Sequence, residues 1–564
     1  MTSIKSRSGG QILVDQLRLH GVDMAFGVPG ESYLAVLDAL HEHANTIRFI
    51  CNRQEGGASM MADAYAKTTG KVGICMVTRG PGATNASAGV HVAFQDSTPM
   101  ILLIGQVGRD MIEREAFQEI DYRRMFGQMA KWVAQIDDVA RIPEFIGRAF
   151  SVAKSGRPGP VVLALPEDML TDSADTLDGA KIAPVEAHPG PADMARFRAM
   201  LQAAERPLLI VGGGGWSEEL RLQTQAFVQA CDLPVAPSFR RQDYIDNDFP
   251  NYVGELGIGP NPKLAEQVKQ ADLLILLGTR MGEMSTGGYT LFDLPVPKQG
   301  SGQKMIHIHA GAEELNRVYQ PDLAINASSR AFIAAARALD GIDGSRWAAR
   351  TKQMRADYEA WQQPTQSPGD LQLSEVVAWL RANTPADTVC TNGAGNYATW
   401  LHRFYRYRRY GTQLAPTSGS MGYGLPGAVA SKLAFPERIA IAFAGDGCFQ
   451  MTQQEFSTAM QYGAAVIVIV VNNGIYGTIR MHQEREYPAR ISGTDLFNPD
   501  FAALARAYGG HGETVSRTEE FAAAFERARA SGKPAIIELR IDAEQLTPRA
   551  SLSQIREASL KAKH

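Results

Sequence analysis

The sequence predicts an α/β fold made of three doubly wound parallel-sheet domains. Short apolar runs such as Val72–Thr78, Met100–Gln106 and Leu273–Leu277 alternate with helical patterns along most of the chain, as strands joined by crossover helices do. At 564 residues the chain is too long for a single hydrophobic core. Polar stretches containing proline and glycine divide it and predict domains over residues 1–180, 190–345 and 370–564.

The composition argues against several classes of partner. Apolar residues make up 45% and charged residues 21% of the chain, and 56 basic against 60 acidic residues leave a net charge of −4. This balance gives no reason to expect a nucleic acid or a membrane surface as partner. The five cysteines are scattered without metal-type spacing, and no apolar run reaches 18 residues. We therefore expect a soluble, cytoplasmic protein in a reducing compartment.

A carboxylate and an amide follow two neighbouring strands in the third domain. The apolar run Arg438–Ala444 leads into Asp446, and Ala464–Val471 leads into Asn473. One helix and one return strand fit between them, so both strand ends should meet at one edge of a parallel sheet, where α/β folds bind ligands. Carboxylate, amide and carbonyl oxygens suit Mg²⁺ that holds phosphate groups. Two ordinary turns are the alternative, but an Asn-Asn at this distance from Gly-Asp-Gly favours the metal site.

The helix between these two strands has a predicted start. Thr452-Gln453-Gln454-Glu455 matches a capping box, in which a hydroxyl and a carboxylate satisfy backbone N–H groups at the helix start. We therefore expect the helix to begin just past Phe449, with its free N–H groups near a bound diphosphate.

Three glycine-rich turns in the first domain predict a pocket rim. Gly27–Gly30, Arg53–Met60 and Thr78–Asn85 each follow an apolar run and precede a helical pattern. Glu55, within the second turn, is flanked by glycines that let the backbone approach a ligand. A solvated glutamate at a helix start is the alternative interpretation of Glu55. Each turn is a weak signal alone, but three of them at strand ends indicate a binding edge.

Together with Ser418–Pro426 and Gly445–Glu484, these motifs resemble those of the thiamine diphosphate (ThDP)-dependent 2-oxo acid enzymes, and most closely the acetohydroxyacid (acetolactate) synthase catalytic subunits. The resemblance runs nearly end to end. It implies a pyrimidine-binding domain first, a central domain next and a diphosphate-binding domain last. It also implies ThDP and Mg²⁺ as cofactors, small 2-oxo acids as substrates, and active sites at the subunit interface of a homodimer or homotetramer.

The resemblance also implies roles for individual residues. Glu55 would bind the aminopyrimidine ring and promote proton removal from the thiazolium ring. Asp446 and Asn473 would bind Mg²⁺ through their side chains and Ile475 through its carbonyl, while Met421 would force the cofactor into its bent shape. Gln118 would contact the reacting atoms or the acceptor. Further cofactor contacts are expected at Gly30, Asn85, Gly395, Asn396, Gly419, Gly445, Gly447, Cys448 and Tyr476. The expected substrate pocket comprises Phe117, Lys131, Thr478 and His482.

The favoured function is a carboligase that decarboxylates a 2-oxo acid, pyruvate by default, and joins the two-carbon unit to a second 2-oxo acid. The related simple decarboxylases place acid–base histidines in the pocket, but Thr78 stands where benzoylformate decarboxylases carry one, and the His-His pair of pyruvate decarboxylases is absent. The alternative is a decarboxylase or lyase of an aryl, branched or acyl-CoA substrate, like benzoylformate decarboxylase or 2-hydroxyacyl-CoA lyase. A catalytically silent regulatory subunit is a third hypothesis, which intact Glu55, Asp446 and Asn473 argue against.

Several positions depart from the synthase pattern. His482 stands where the synthases carry tryptophan, Gly395-Asn396 replaces a His-Gln pair, and Glu31 replaces a small residue after Pro29-Gly30. The synthase motif Arg-Phe-Asp-Asp-Arg, associated with FAD, is replaced by Arg280–Met284. The glycine run Gly212–Gly215 follows a strand and could approach a nucleotide. The sequence therefore leaves FAD open as a further cofactor.

Overall fold

The computed structural model describes residues 6–294 and 302–563, and the chain divides into two compact units, Met1–Glu186 and Ala187–His564. Within the described residues, three parallel sheets flanked by helices make up the fold. This arrangement confirms the predicted α/β class. In this part of the chain no helix is long and apolar enough to cross a membrane.

Unit 1 is built around one parallel sheet. Its strands are β1 (Arg7–Ser8), β2 (Met24–Gly27), β3 (Arg48–Cys51), β4 (Gly73–Thr78), β5 (Met100–Gln106), β6 (Trp132–Gln135), β7 (Pro160–Pro166) and β8 (Ser173–Ala174). Its helices are α1 (Gly9–Leu19), α2 (Leu34–Glu42), α3 (Glu55–Thr69), α4 (Arg79–Asp96), α5 (Tyr122–Phe126), α6 (Ile142–Lys154) and α7 (Glu167–Thr171). The described strands pair in the order β3-β2-β4-β5-β7-β6, with β1 and β8 forming a separate antiparallel pair. Because β5 and β7 are buried along their whole length, they read as continuous apolar runs in the sequence.

Helices α3 and α4 carry the predicted turn residues to the carboxyl edge of this sheet. Each starts within a few residues of the end of a strand, α3 after β3 and α4 directly after β4. The two helices pack closely where Gly89 of α4 meets Ser59 of α3. A side chain at Gly89 would collide with Ser59, so only glycine allows this approach. Glu55 and Arg79, the first residues of the two helices, therefore lie at the same edge.

Unit 2 contains the other two parallel sheets. Its strands are β9 (Pro207–Val211), β10 (Val235–Pro237), β11 (Leu273–Leu277), β12 (Lys304–His309), β13 (Leu323–Asn326), β14 (Val389–Asn392), β15 (Gln413–Leu414), β16 (Ala440–Gly445), β17 (Ile467–Asn472), β18 (His511–Val515) and β19 (Ala535–Arg540). Its helices are α8 (Pro191–Ala203), α9 (Glu218–Ala230), α10 (Pro262–Gln270), α11 (Ser329–Ala336), α12 (Ser345–Trp361), α13 (Leu373–Asn383), α14 (Tyr397–Phe404), α15 (Gly424–Ala434), α16 (Asp446–Gln450), α17 (Glu455–Gln461), α18 (Gly477–Glu486), α19 (Phe501–Ala507), α20 (Phe521–Ala530) and α21 (Leu552–Lys563). Among described residues the sheet orders are β10-β9-β11-β12-β13 and β15-β14-β16-β17-β19-β18.

Strands β16 and β17 are adjacent and parallel, with Gly445 opposite Val471. The predicted crossover is therefore confirmed, and Asp446 and Asn473 follow strands that end at the same sheet edge. The predicted capping box is wrong. The Thr452 hydroxyl donates to the carbonyl of Gly422 (2.6 Å) instead of capping a helix, and α17 begins at Glu455. The helix that follows β16 is the short α16, which begins at Asp446 itself.

Candidate active site

A cavity of about 240 Å³ lies in unit 2 beyond the carboxyl ends of β14, β16 and β17. Many residues predicted from the sequence line it: Gly395, Asn396, Gly419, Met421, Gly445, Asp446, Gly447, Cys448, Asn473, Ile475, Tyr476 and Thr478. His482 is the exception among the unit 2 predictions, because it lies on α18 with an exposed side chain and is not part of the lining.

Asp446 is a buried carboxylate held by three N–H donors. Its Oδ1 accepts from the Gly447 amide (2.8 Å), and its Oδ2 accepts from the Gly474 amide (2.9 Å) and from the Asn498 side chain (2.8 Å). Burial raises the pKa of the Asp446 carboxyl, and these hydrogen bonds oppose the rise. The cavity thus contains a fixed, partly desolvated acceptor that a cation would stabilise.

The two asparagines after β17 have different surroundings. Asn472 is tied to the protein, because its amide donates to Glu538 (2.7 Å) and its oxygen accepts from Asn498 (2.8 Å). Asn473 lines the cavity, and its oxygen accepts from the Ile475 amide (3.2 Å). Asp446, Asn473 and Ile475 therefore line one space, which brings a carboxylate and a side-chain amide together. The Ile475 carbonyl accepts from the Gly477 amide (2.9 Å).

This donor set fits a hard cation such as Mg²⁺, which prefers oxygen ligands. Across residues 6–294 and 302–563, no group of three or more His, Cys, Asp or Glu side chains could hold a metal ion. A metal in this cavity would therefore rest on the mixed oxygen donors.

Tyr397 explains why two of the predicted positions are glycines. A side chain at Gly395 or at Gly445 would meet the Tyr397 ring at 2.7 Å and 2.8 Å, respectively. The Tyr397 hydroxyl donates to the Cys448 sulfur (3.1 Å), which also accepts from the Gly422 amide (3.1 Å). Cys448 is thus a buried packing and hydrogen-bonding residue. No sequence motif indicated Tyr397; the one hint was its position directly after Gly395-Asn396.

The remaining wall combines an expected contact with a region that no motif indicated. Thr478 and Asn396 are joined by two hydrogen bonds. The Thr478 hydroxyl accepts from the backbone amide of Asn396 (2.9 Å) and donates to the side-chain oxygen of Asn396 (3.1 Å). Leu546, only 2% exposed, closes another side, and the buried Gln545 beside it donates to the carbonyl of Leu371 (2.7 Å). The segment after β19 therefore forms part of the lining.

The Glu55 cluster lies in unit 1. The Glu55 carboxylate accepts from the Asn85 amide (2.9 Å), and its other oxygen lies 3.5 Å from where a Gly82 side chain would begin. Gln118, with a positive φ of 68°, accepts through its carbonyl from the Gly80 amide (2.9 Å). The structure thus brings the Glu55, Asn85 and Gln118 segments together at the start of α4.

Two other unit 1 predictions have different surroundings from those expected. Gly30 packs against Thr78, which occupies the space that a side chain at this position would need. Lys131 precedes β6, and its amino group donates to the carbonyls of Ser155 (2.7 Å) and Val152. It lies at the amino edge of the sheet, so unit 1 does not bring it together with Glu55. Phe117, next to Gln118, is 72% exposed.

Packing also explains two glycines of the Gly212–Gly215 run after β9. A side chain at Gly212 would collide with Ser238, and one at Gly213 would collide with the Gly278 carbonyl. Gly213 also adopts a φ of +76°. Packing therefore explains the first two glycines of the run, whereas Gly215 has open space around it.

Comparison with known proteins agrees with this geometry. Three thiamine pyrophosphate enzyme profiles match the chain: the N-terminal TPP binding domain over residues 7–125, the central domain over 194–336 and the C-terminal TPP binding domain over 393–539. The chain is 31% identical to the acetolactate synthase isozyme 2 large subunit of Escherichia coli (strain K12), over 95% of this chain and 96% of that protein. It is 32% identical to the acetolactate synthase large subunit of Parasynechococcus marenigrum (strain WH8102), over 95% and 87%. The chain therefore belongs to the thiamine pyrophosphate enzymes, in the family of the acetolactate synthase large subunits.

Proposed function

We propose that the protein is a ThDP- and Mg²⁺-dependent carboligase. Two 2-oxo acids and one proton would give one CO₂ and one 2-hydroxy-3-oxo acid, with pyruvate as the default substrate. Residues 1–180 would bind the pyrimidine ring, 190–345 would form the central domain, and 370–564 would hold the diphosphate. The main support for the proposal is the unit 2 cavity, which Asp446, Asn473 and Ile475 line.

The residues around this cavity suit a metal-bound diphosphate. Asp446, Asn473 and Ile475 would hold Mg²⁺ by oxygen. Gly477 and Thr478 begin α18 on the cavity wall, and the N–H groups of a helix start favour phosphate oxygens. ThDP, when bound, would supply the electron sink for loss of CO₂. FAD is not part of this proposal; packing accounts for Gly212 and Gly213, while Gly215 has open space around it.

The other residues would orient and move protons. Glu55 would share a proton with the pyrimidine N1′ atom, and Asn85 keeps its carboxylate in place. Met421 would support the ring from its position between the cavity and the C-terminal core. No histidine is among the described residues that line the unit 2 cavity.

We also propose that the working form is a homodimer or homotetramer. Glu55 of one subunit would complete the unit 2 cavity of its partner. Phe117 (72% exposed) in unit 1 and Ile479 (53% exposed) on the cavity wall are apolar side chains that such an interface would cover. Sedimentation velocity should give a dimer or tetramer, and a strictly monomeric, active protein would contradict this arrangement.

The experiment that tests the function is CO₂ release from pyruvate, measured with both cofactors and with each omitted. We expect release only when ThDP and Mg²⁺ are both present. Release that persists after exhaustive treatment with a chelator would refute the metal role, and tight ThDP binding without release would identify pyruvate as the wrong donor.

A further inference from the structure

Arg79 occupies an unusual position at the carboxyl edge of the unit 1 sheet. It is the first residue of α4, its side chain is 9% exposed, and its φ of 40° lies in a region that non-glycine residues rarely adopt. The same short segment contacts the predicted catalytic residues, because Gly80 binds the Gln118 carbonyl and Gly82 faces Glu55. The backbone of Arg79 therefore belongs to the segment that contacts Glu55 and Gln118.

The guanidinium of Arg79 is held by two carboxylates of different exposure. Nη2 donates to Glu167 (2.7 Å), whose side chain is 33% exposed, and Nη1 donates to Glu31 (3.0 Å), whose side chain is 65% exposed. The buried Nε has no hydrogen-bond partner, and neither does the buried hydroxyl of Tyr122. The Nη2 side of the guanidinium is thus held by the less exposed carboxylate, Glu167. The Nη1 side is paired with Glu31, whose side chain is mostly in contact with solvent.

We propose that Arg79 binds the carboxylate of the acceptor 2-oxo acid, which takes the place of the Glu31 carboxylate on Nη1. This inference rests on the proposed carboligase function. Arginine suits carboxylates because its planar fork donates several N–H groups, and the unused Nε is a further donor for the incoming group. Glu31 then serves as a displaceable partner that keeps the buried cation paired when no acceptor is bound.

The acceptor fits this position better than the donor does. The donor loses its carboxylate as CO₂, so an ion pair with that group would stabilise the ground state and slow the reaction. The acceptor keeps its carboxylate from binding to product release. An arginine at the rim therefore selects acceptors that carry a carboxylate over uncharged aldehydes.

The test compares two acceptors that differ by the carboxylate. Purified enzyme with ThDP, Mg²⁺ and pyruvate as donor is given pyruvate alone or pyruvate with acetaldehyde, and acetolactate and acetoin are measured together. In Arg79→Gln the ratio of acetolactate to acetoin should fall about ten- to hundredfold, the value of a lost charged hydrogen bond. Arg79→Lys, which keeps the charge without the fork, should give an intermediate ratio.

Two further variants make the test specific. Counted over the whole residue, Arg157 is as buried as Arg79 (7% exposed each). Its side chain donates to the Ser97 hydroxyl and the Phe94 carbonyl at the amino edge of the same sheet. Arg157→Gln should therefore lower stability without changing the ratio of acetolactate to acetoin. Glu31→Gln removes the competing carboxylate and should lower the KM for the acid acceptor severalfold. An Arg79→Gln ratio equal to wild type would overturn the inference, and so would an unchanged KM in Glu31→Gln. Absence of both ThDP binding and CO₂ release in the wild-type enzyme would instead refute the proposed function.

Discussion

Replacing Asp446 by asparagine should abolish stabilisation by the cofactors while leaving the protein folded. The change keeps the size of the side chain but removes the negative charge. The new NH₂ group cannot accept, so it would face an N–H donor without a hydrogen bond, either that of Gly447 or those of Gly474 and Asn498. Two effects then oppose each other in the cofactor-free protein. A charged hydrogen bond worth about 1.5–3 kcal/mol is lost. A carboxylate whose pKa is raised by burial is also no longer desolvated. We therefore expect a net loss of about 1–2 kcal/mol in the free energy of unfolding.

The effect on cofactor binding should be larger. Ligand at a hundred times its Kd stabilises a protein by about 2.7 kcal/mol. Mutating outer-shell partners of metal ligands already costs about 10–100-fold in affinity, so losing a direct ligand should cost at least a hundredfold. At the same ThDP and Mg²⁺ concentrations the stabilisation should then fall from about 2.7 to about 0.4 kcal/mol.

Urea unfolding with and without ThDP and Mg²⁺ measures this difference. Asp243 offers a matched control, since it is buried in unit 2 and, like Asp446, accepts from three N–H donors. Its Oδ2 accepts from the backbone amides of Gly411, Thr412 and Gln413. Asp243→Asn should lose stability but keep the full cofactor-induced shift. An Asp446→Asn protein that is stabilised as strongly as wild type would refute the metal-binding role.

Three further predictions concern single residues. Glu55→Gln should still show the thermal shift with ThDP and Mg²⁺ but lose about 100-fold or more in CO₂ release, and unaltered turnover would refute its role in proton transfer. Leu546→Ala should lower the free energy of unfolding by about 2 kcal/mol, since Leu546 is 2% exposed, and an unchanged urea midpoint would mean that the segment after β19 does not pack on the cavity. Burial raises the pKa of Glu255 to about 8 from an ordinary value near 4.5, so the folded state holds a proton that the unfolded state releases. Stability should therefore fall by a few kcal/mol as pH rises from about 4.5 to 8, and Glu255→Gln should flatten that slope; parallel slopes in the two proteins would contradict this.

The strand ends of the candidate site were predictable, and its walls were not. Asp446 and Asn473 could be brought together from sequence because a parallel crossover fixes which edge two strand ends share. Tyr397, Gln545 and Leu546 line the same cavity through packing between distant segments, and no local pattern encodes such contacts.

Tertiary contacts also explain the failed capping box and the surroundings of other residues that local patterns singled out. The capping motif at Thr452 failed because its hydroxyl binds the distant Gly422 carbonyl, so a tertiary contact overrode a local preference. Lys131 matched a position of the resembled family, but in unit 1 its amino group is bound to backbone carbonyls at the amino edge of the sheet. Glycines at 30, 212 and 213 suggested ligand contact, whereas each is required by a neighbour in the chain itself.

The most direct test of the carboligase is product analysis by NMR after incubation with ¹³C-labelled pyruvate, ThDP and Mg²⁺, with and without FAD. We expect acetolactate with one CO₂ for every two pyruvates consumed, in samples both with and without FAD. Acetaldehyde with one CO₂ for every pyruvate would contradict this expectation, because the two-carbon unit would then be protonated instead of being transferred to a second 2-oxo acid.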